Sequence, residues 1–296
     1  MSALKPQYLP AMREALSGFY DEIRNFHTGQ GLDPAPGSPA VSEQAAFPRP
    51  ESLVTAWSIA TQLIESSGEH VTAFVKMITA PMEPIACWTC VRSVLESSSL
   101  ASWLLDPSID ARSRVGREFA IRYEGIKQQL KLIQAAGGND SDLQSTKKRI
   151  DDVEHDALKL GYPPIVNKKG KRFGIGQEMP AATEVIKLML DEEVMYRLLS
   201  AVAHGHGWTI RSLSFKPVPE DAISPDVGGV PVTRFEKTVK IDRLAWLGLT
   251  AAMAFAKPVW YKCRYFAWDA GRLIAVLDRT FDQLQVKPAV RFWHNE

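Results

Sequence analysis

PIACWTCVRSVLESSSLASWLLDP, residues 84–107, decides the fold of this chain. Pro84 opens a run with helical spacing, and the Asp-Pro pair at 106–107 closes it. Ile85, Trp88, Val91, Leu95, Trp103 and Leu104 point in every direction on a helical wheel, the pattern of a helix surrounded on all sides. Two charged residues interrupt it. Arg92 and Glu96 stand four apart, the spacing at which helical side chains meet, and in a dry setting each is costly without a partner. They form either a buried structural ion pair or the lining of a polar pocket.

Outward from this segment, nearly every periodic stretch is helical. The spacing predicts helices over 9–26, 51–66, 69–80, 84–105, 108–136, 140–160 and 180–205, with a last helical section over 242–285. The breaks are SSG at 66–68, APMEP at 80–84, Asp-Pro at 106–107 and AAGGND at 135–140. Pro258 falls within the last section, where it is expected to bend or split the helix. Residues 161–178 read as a Gly/Pro-rich basic loop, and the alternation in VTRFEKTVKI, 232–241, predicts one short strand or hairpin. The expected class is therefore all-α, a multi-helix bundle with a short irregular or hairpin insert. Its expected organisation is an N-terminal helical arm over 1–27, a Pro/Gly-rich linker over 28–50 and a bundle domain over 51–296.

Composition narrows the function classes. With 296 residues, 45% of them hydrophobic, the chain is long and apolar enough for a sizeable core. Its 35 basic and 34 acidic residues create no global field toward nucleic acid or membrane, so any such binding must be local. No window is long and apolar enough for a membrane span, and the first residues lack the apolar core and cleavage site of a signal peptide. With only three cysteines, this reads as a soluble cytoplasmic protein with no membrane partner and no disulfide framework.

The second informative stretch is MYRLLSAVAHGHGWTI, residues 195–210. At 100° per residue, Met195, Leu198, Leu199 and Val202 form a core-facing stripe. Glu193, Arg197, Ser200 and His204 share the opposite side beside the small Ala201 and Ala203. Any surface helix has a polar stripe, and a histidine near a helix C-terminus is favoured by the dipole. This stripe, however, combines a carboxylate, a guanidinium, a hydroxyl and an imidazole. His206 continues the apolar side and reads as a core or helix-end histidine, and Gly205 and Gly207 as the helix stop.

Tyr196-Arg197 followed after six residues by His204 resembles the signature of the HEPN superfamily of bacterial helical proteins. There an arginine precedes a histidine by four to six residues late in a bundle helix. The chain also resembles uncharacterised bacterial all-helical proteins that pair an R-x-x-x-E helix ending in W-L-x-D-P with a later Y-R-x-x-S-x-x-A-H helix. The matching residues are Arg92, Glu96, Trp103, Asp106 and Pro107, then Tyr196, Arg197, Ser200, Ala203 and His204. The resemblance covers about residues 51–210. It implies a homodimeric, metal-independent ribonuclease acting on RNA without cofactors, with His204 as acid/base and Arg197 stabilising the phosphorane-like charge. Ser200 and Glu193 join them on the catalytic stripe, and Arg92, Glu96 and Tyr196 stand on the substrate side. Leu198 occupies the place where the ribonucleases usually carry a polar residue, and many superfamily members are binding modules without activity.

Other motifs point less far. Cys87 and Cys90 form CWTC, but no strand precedes it and no second metal-ligand pair completes it, so core packing is the expectation. DDVEHD, 151–156, spaces Asp151 from His155 and Asp152 from Asp156 by four, without the matching set on a second helix that a metal centre needs. In NKKGKRFG, Lys168, Lys169, Lys171 and Arg172 cluster beside Phe173, a composition suited to a phosphate backbone and a stacked base, or to plain solvation. Neither a phosphate-cradling GxxxxGK[ST] nor a GxGxxG after a strand occurs. The alternatives to RNA chemistry are a non-enzymatic helical interaction or dimerisation protein and a small-molecule binder using a pocket near Arg92, Glu96 and the tryptophans.

Overall fold

The computed structural model describes residues 8–30, 33–79, 83–168, 170, 172–218, 235–238 and 240–284. Among them are eleven helices and two small antiparallel strand pairs, an all-α fold. In chain order they are α1 (Tyr8–Gln30), α2 (Pro39–Ala46), α3 (Pro50–Met77), α4 (Pro84–Leu105), α5 (Ala111–Ala135) and α6 (Asp140–Lys159). The hairpin β1 (Pro164–Val166) and β2 (Arg172–Ile175) follows, then α7 (Ala182–Leu190), α8 (Glu193–Ala203) and α9 (Gly207–Ser214). The chain continues through β3 (Phe215–Pro217), β4 (Phe235–Lys237), α10 (Ile241–Phe266) and α11 (Gly271–Gln283). No helix among the described residues is long and apolar enough to cross a membrane.

The quoted segment is the axis of the bundle. α4 packs most extensively on α3 and next on α10, and it also touches α5, α7, α8 and α9. Its second half, from Ser98 to Leu105, is buried on nearly every side, as the wheel predicts. Its first half differs, because Arg92, Ser93, Glu96 and Ser97 leave one stripe half-exposed. A serine pair bridges α4 and α3. Ser67 and Ser98 share a buried hydrogen bond of 2.7 Å, which satisfies two hydroxyls while letting the helices approach closely.

Several boundaries differ from the sequence expectation for identifiable reasons. SSG does not break a helix, since α3 runs through it. Gly68 is there for space: a Cβ would stand 2.4 Å from Tyr20 Cε2 and 3.2 Å from Phe255 Cε2, where α1 and α10 cross. The supposed arm is core. Met12, Leu16, Phe19 and Ile23 are each at most 1% exposed, and α1 packs on α3, α10 and α11. The supposed linker contains α2, whose Ser-Pro start is a cap: Ser38 Oγ accepts from Val41 N at 3.3 Å, and Pro39 fills the first turn. Before it, Ala35 N donates to Phe266 O at 2.9 Å and Trp268 Nε1 to Asp33 O at 3.1 Å.

The basic loop contains the β1–β2 hairpin, which packs on α5. The strand expected over 232–241 is β4, paired with β3, while residues 232–234 lie outside the described ones. The helix expected over 180–205 divides at Asp191, which sits in the left-handed region with φ 56°. α10 continues past Pro258, and its end comes instead at Ala267, φ 52°.

One buried charge ties these elements together. Arg114 of α5 is fully buried and donates to the carbonyls of Leu104, Asp106 (3.2 Å) and Ile109 (3.4 Å), receiving the C-terminal end of α4. Its Nε meets Glu43 of α2 at 3.2 Å, and its guanidinium lies 3.8 Å from the ring centre of Tyr265 in α10. Tyr265 Oη in turn donates to Glu43 at 2.5 Å, and Trp57 Nε1 of α3 donates to Tyr265 Oη at 3.4 Å. Arg114→Leu therefore strands a carboxylate and up to three carbonyls, and is expected to lower stability by about 3 to 5 kcal/mol. Arg114→Lys, which keeps the charge but not the fork, should fall between. Urea unfolding of the three proteins checks the order; equal midpoints would contradict it.

Candidate functional site

α8 forms because Met195, Leu199 and Val202, with Tyr196, repeat on one side and are buried. Glu193 opens the helix, where a carboxylate complements the dipole. Its Oε1 accepts from Arg197 Nε at 3.0 Å and Nη2 at 2.8 Å, while Lys187 of α7 reaches Oε2 at 3.1 Å. These hydrogen bonds from Arg197 and Lys187 hold the Glu193 carboxyl below the usual carboxylate range.

The glycine–histidine run is a helix joint. His204 caps α8, Gly205 takes the left-handed conformation at φ 72°, Gly205 N donates to Val202 O at 3.0 Å and His206 N to Ala201 O at 2.9 Å. That pair of bonds is a Schellman closure. The His206 carbonyl then accepts from Thr209 N at 3.0 Å and Ile210 N at 3.2 Å, starting α9. His206 is thus at a helix end, as one of its two expected settings had it, but exposed rather than in the core. The rings of His204 and His206 lie 6.4 Å apart, both exposed, and Trp208 beside them is 66% exposed. The imidazole of His204 makes no hydrogen bond with a described residue.

The expected substrate-side residues fall into two groups. Arg92 Nη2 meets Glu96 Oε1 at 2.9 Å, Tyr196 Oη donates to the same oxygen at 2.8 Å, and the guanidinium of Arg92 lies 5.7 Å from the Tyr196 ring centre. The pair is half-exposed rather than buried. Burial opposes the charge on Arg92, yet the bonds to Tyr196 and Glu96 outweigh it and hold its pKa above the ordinary value. This triad sits at the α4 contact, whereas Arg197 and His204 face solvent and Ser200 is half-exposed between. Lys168 and Arg172 are exposed on the hairpin, with Arg172 paired to Glu154; Lys169 and Lys171 lie outside the described residues.

CWTC is packed into α4. Burial pushes the Cys87 thiol up to about 12 and raises Cys90, the reverse of what a nucleophilic thiolate needs. In DDVEHD, Asp156 pairs with Arg49 at 3.0 Å.

A second polar centre escaped the sequence reading. Lys262 of α10 is fully buried, with Nζ 3.0 Å from His27 Nε2 and 3.0 Å from Thr61 Oγ1. Nζ also lies 5.3 Å and 4.9 Å from the ring centres of Phe266 and Trp268. Burial lowers Lys262 to about 8, and burial together with the Lys262 charge lowers His27 to about 3. His27 also borders a cleft of about 790 Å³ between α1 and α3. The only sequence signal was a lysine inside the apolar run VWYKCRYFAW.

Compared with protein-family models, curated proteins and solved structures, the chain matches none.

The His27 shift has a pH consequence. With a folded pKa near 3 against an ordinary 6.5, the unfolded chain binds the extra proton throughout that window. Stability from this group is complete above pH 6.5 and drains away as pH falls toward 3, a total on the order of 5 kcal/mol. In His27→Gln, which cannot titrate, this part of the slope should vanish. Denaturant midpoints measured across the window test it, and parallel curves for the two proteins would refute the assignment.

Proposed function

We propose that the α8–α9 joint is an RNA-facing surface and that the protein is a metal-independent ribonuclease of HEPN-like chemistry. The observation that carries this reading is the shared exposure of Arg197, His204 and Trp208 around one helix joint. Each group has a role suited to RNA. His204, unbonded to the described protein, takes the proton of a ribose 2′-hydroxyl; the 2′-oxygen bonds to phosphorus as the bond to the 5′-oxygen breaks. The leaving oxygen takes a proton from water or from the imidazolium of His206, and a cyclic phosphate remains. Arg197 supplies a guanidinium for the phosphoryl oxygens, with Glu193 fixing its fork from behind. Trp208 offers a stacking face to a base.

Purified protein should therefore cleave mixed cellular RNA in the presence of chelator and leave cyclic-phosphate ends. His204→Ala and Arg197→Ala, both at exposed positions, should each reduce cleavage by about 100-fold or more while helicity stays unchanged. An inert wild type, or a variant as active as wild type, ends the ribonuclease reading.

A second reading rests on a separate observation. Leu188, Val194 and Trp208 on the successive helices α7, α8 and α9 are 69%, 79% and 66% exposed. Large apolar side chains this open favour an interface, here with a second copy whose Arg197 and His204 would converge on the same RNA. Light scattering should give twice the chain mass for wild type and the single mass for Val194→Glu. A wild type that stays monomeric at micromolar concentration removes the dimer from the proposal without touching the RNA chemistry.

A further inference from the structure

The cleft between α1 and α3 serves neither reading above. Its two walls are antiparallel: Tyr20 lies against Gly68, while His27 shares Lys262 with Thr61. Tyr20, Asp21, Arg24 and His27 come from α1 at the spacing of one helix face; Glu65, Glu69 and Lys76 come from α3. Phe255 and Ile64 are buried at its base, so the cleft has an apolar floor beneath charged walls.

Three observations define what fits. First, His27 is 6% exposed, and its Nε2 receives a hydrogen from the Lys262 ammonium. The ring's proton is then on Nδ1, which bonds no described residue although the ring borders the cleft. An acceptor is wanted there, and Arg24 lies one turn away on the same face. Second, Asp21 and Glu69, from opposite walls, make no ion pair or hydrogen bond with a described residue. Glu65 is coupled electrostatically to Lys262, so it is Asp21 and Glu69 that stand without a cation. Third, the three lining carboxylates face the two lining cations Arg24 and Lys76, and the buried Lys262 ammonium behind His27 completes the balance. A ligand of net charge gains nothing at long range, whereas a neutral ligand with separated charges gains at both ends.

From these we infer that the cleft binds a small ω-amino carboxylate. Its ammonium lies by Asp21 and Glu69, its carboxylate by His27 and Arg24, and its methylene chain on Tyr20, Ile64 and Phe255. Length follows from the helix. Asp21 and His27 are six residues apart, about 9 Å of rise, which an extended chain of about six carbons spans and an α-amino acid does not. A diamine meets Arg24 and Lys262, and a simple fatty acid places its methyl end beside two hydrated carboxylates with which it makes no ion pair, so both are disfavoured.

Isothermal titration calorimetry of the full chain at pH 7 tests this with 6-aminohexanoate, hexanoate, hexylamine and 4-aminobutyrate. The expected result is one 6-aminohexanoate per chain, with each of the other three about tenfold weaker or worse. In the Asp21→Asn/Glu69→Gln double variant, both exposed positions, 6-aminohexanoate should fall to the affinity of hexanoate. The length comparison on wild type needs no variant, so a misfolded double variant leaves the test intact. Absence of 6-aminohexanoate binding at millimolar concentration, or hexanoate or hexylamine binding as well as it does, overturns the proposal. RNA cleavage depends on neither ligand nor cleft, so the two proposals fail separately.

Discussion

The guanidinium of Arg114 is the constraint on which the rest of the bundle depends. It is fully buried, and a lone charge there is untenable. Everything around it is consequently fixed: α4 must end where its carbonyls meet the fork, α2 must bring Glu43, and α10 must lay Tyr265 flat beneath it. Arg117 repeats the arrangement next door, donating to the carbonyl of Trp103 at 2.5 Å, meeting Asp106 at 3.5 Å and stacking 4.9 Å from the Trp103 ring centre. Two arginines one turn apart thus terminate the central helix, doing with side chains what a glycine cap does at α8. Elsewhere the core tolerates small lapses, since the indole nitrogens of Trp88 and Trp260 and the hydroxyl of Ser102 have no hydrogen-bond partner among the described residues. The two guanidiniums take both carbonyl and carboxylate partners, although Arg117 Nε itself finds none among the described residues.

What could be read in advance follows from how local each signal is. The centrality of residues 84–105 and the division of residues 193–204 into a buried and an exposed side are wheel properties, carried by the segment itself. Gly68 reads as a break because a glycine that ends a helix and one that admits a neighbouring ring look alike until the neighbour is known. α2 was hidden in a Pro/Ser-rich stretch whose Ser38-Pro39 start is both a turn signal and a cap. α1 reads as an arm despite its apolar stripe, because a stripe says that a helix packs and not where.

The site shows the same limit. Arg92 and Glu96 stand four apart on one helix, but only packing of α4 on α8 brings Tyr196 onto the Glu96 oxygen that Arg92 meets. Arg114 is one of four arginines between 112 and 122, with nothing in the sequence to say which turns inward. His27 and Lys262, 235 residues apart, needed the whole fold to meet.

The packing of α1 against α10 and α11 also bears on how the chain is made. Tyr8 donates to the carbonyl of Leu284, 276 residues later, and Arg279 meets Glu22. At about 5 to 20 residues per second of synthesis, α1 waits roughly 15 to 55 s before α11 is made. During that interval α3 can meet it, but the part of its stripe of methionine, leucine, phenylalanine and isoleucine that faces α10 and α11 is uncovered. α1 is made long before the helices that complete its packing, so the nascent chain carries a partly covered apolar segment that holdase chaperones are built to shield.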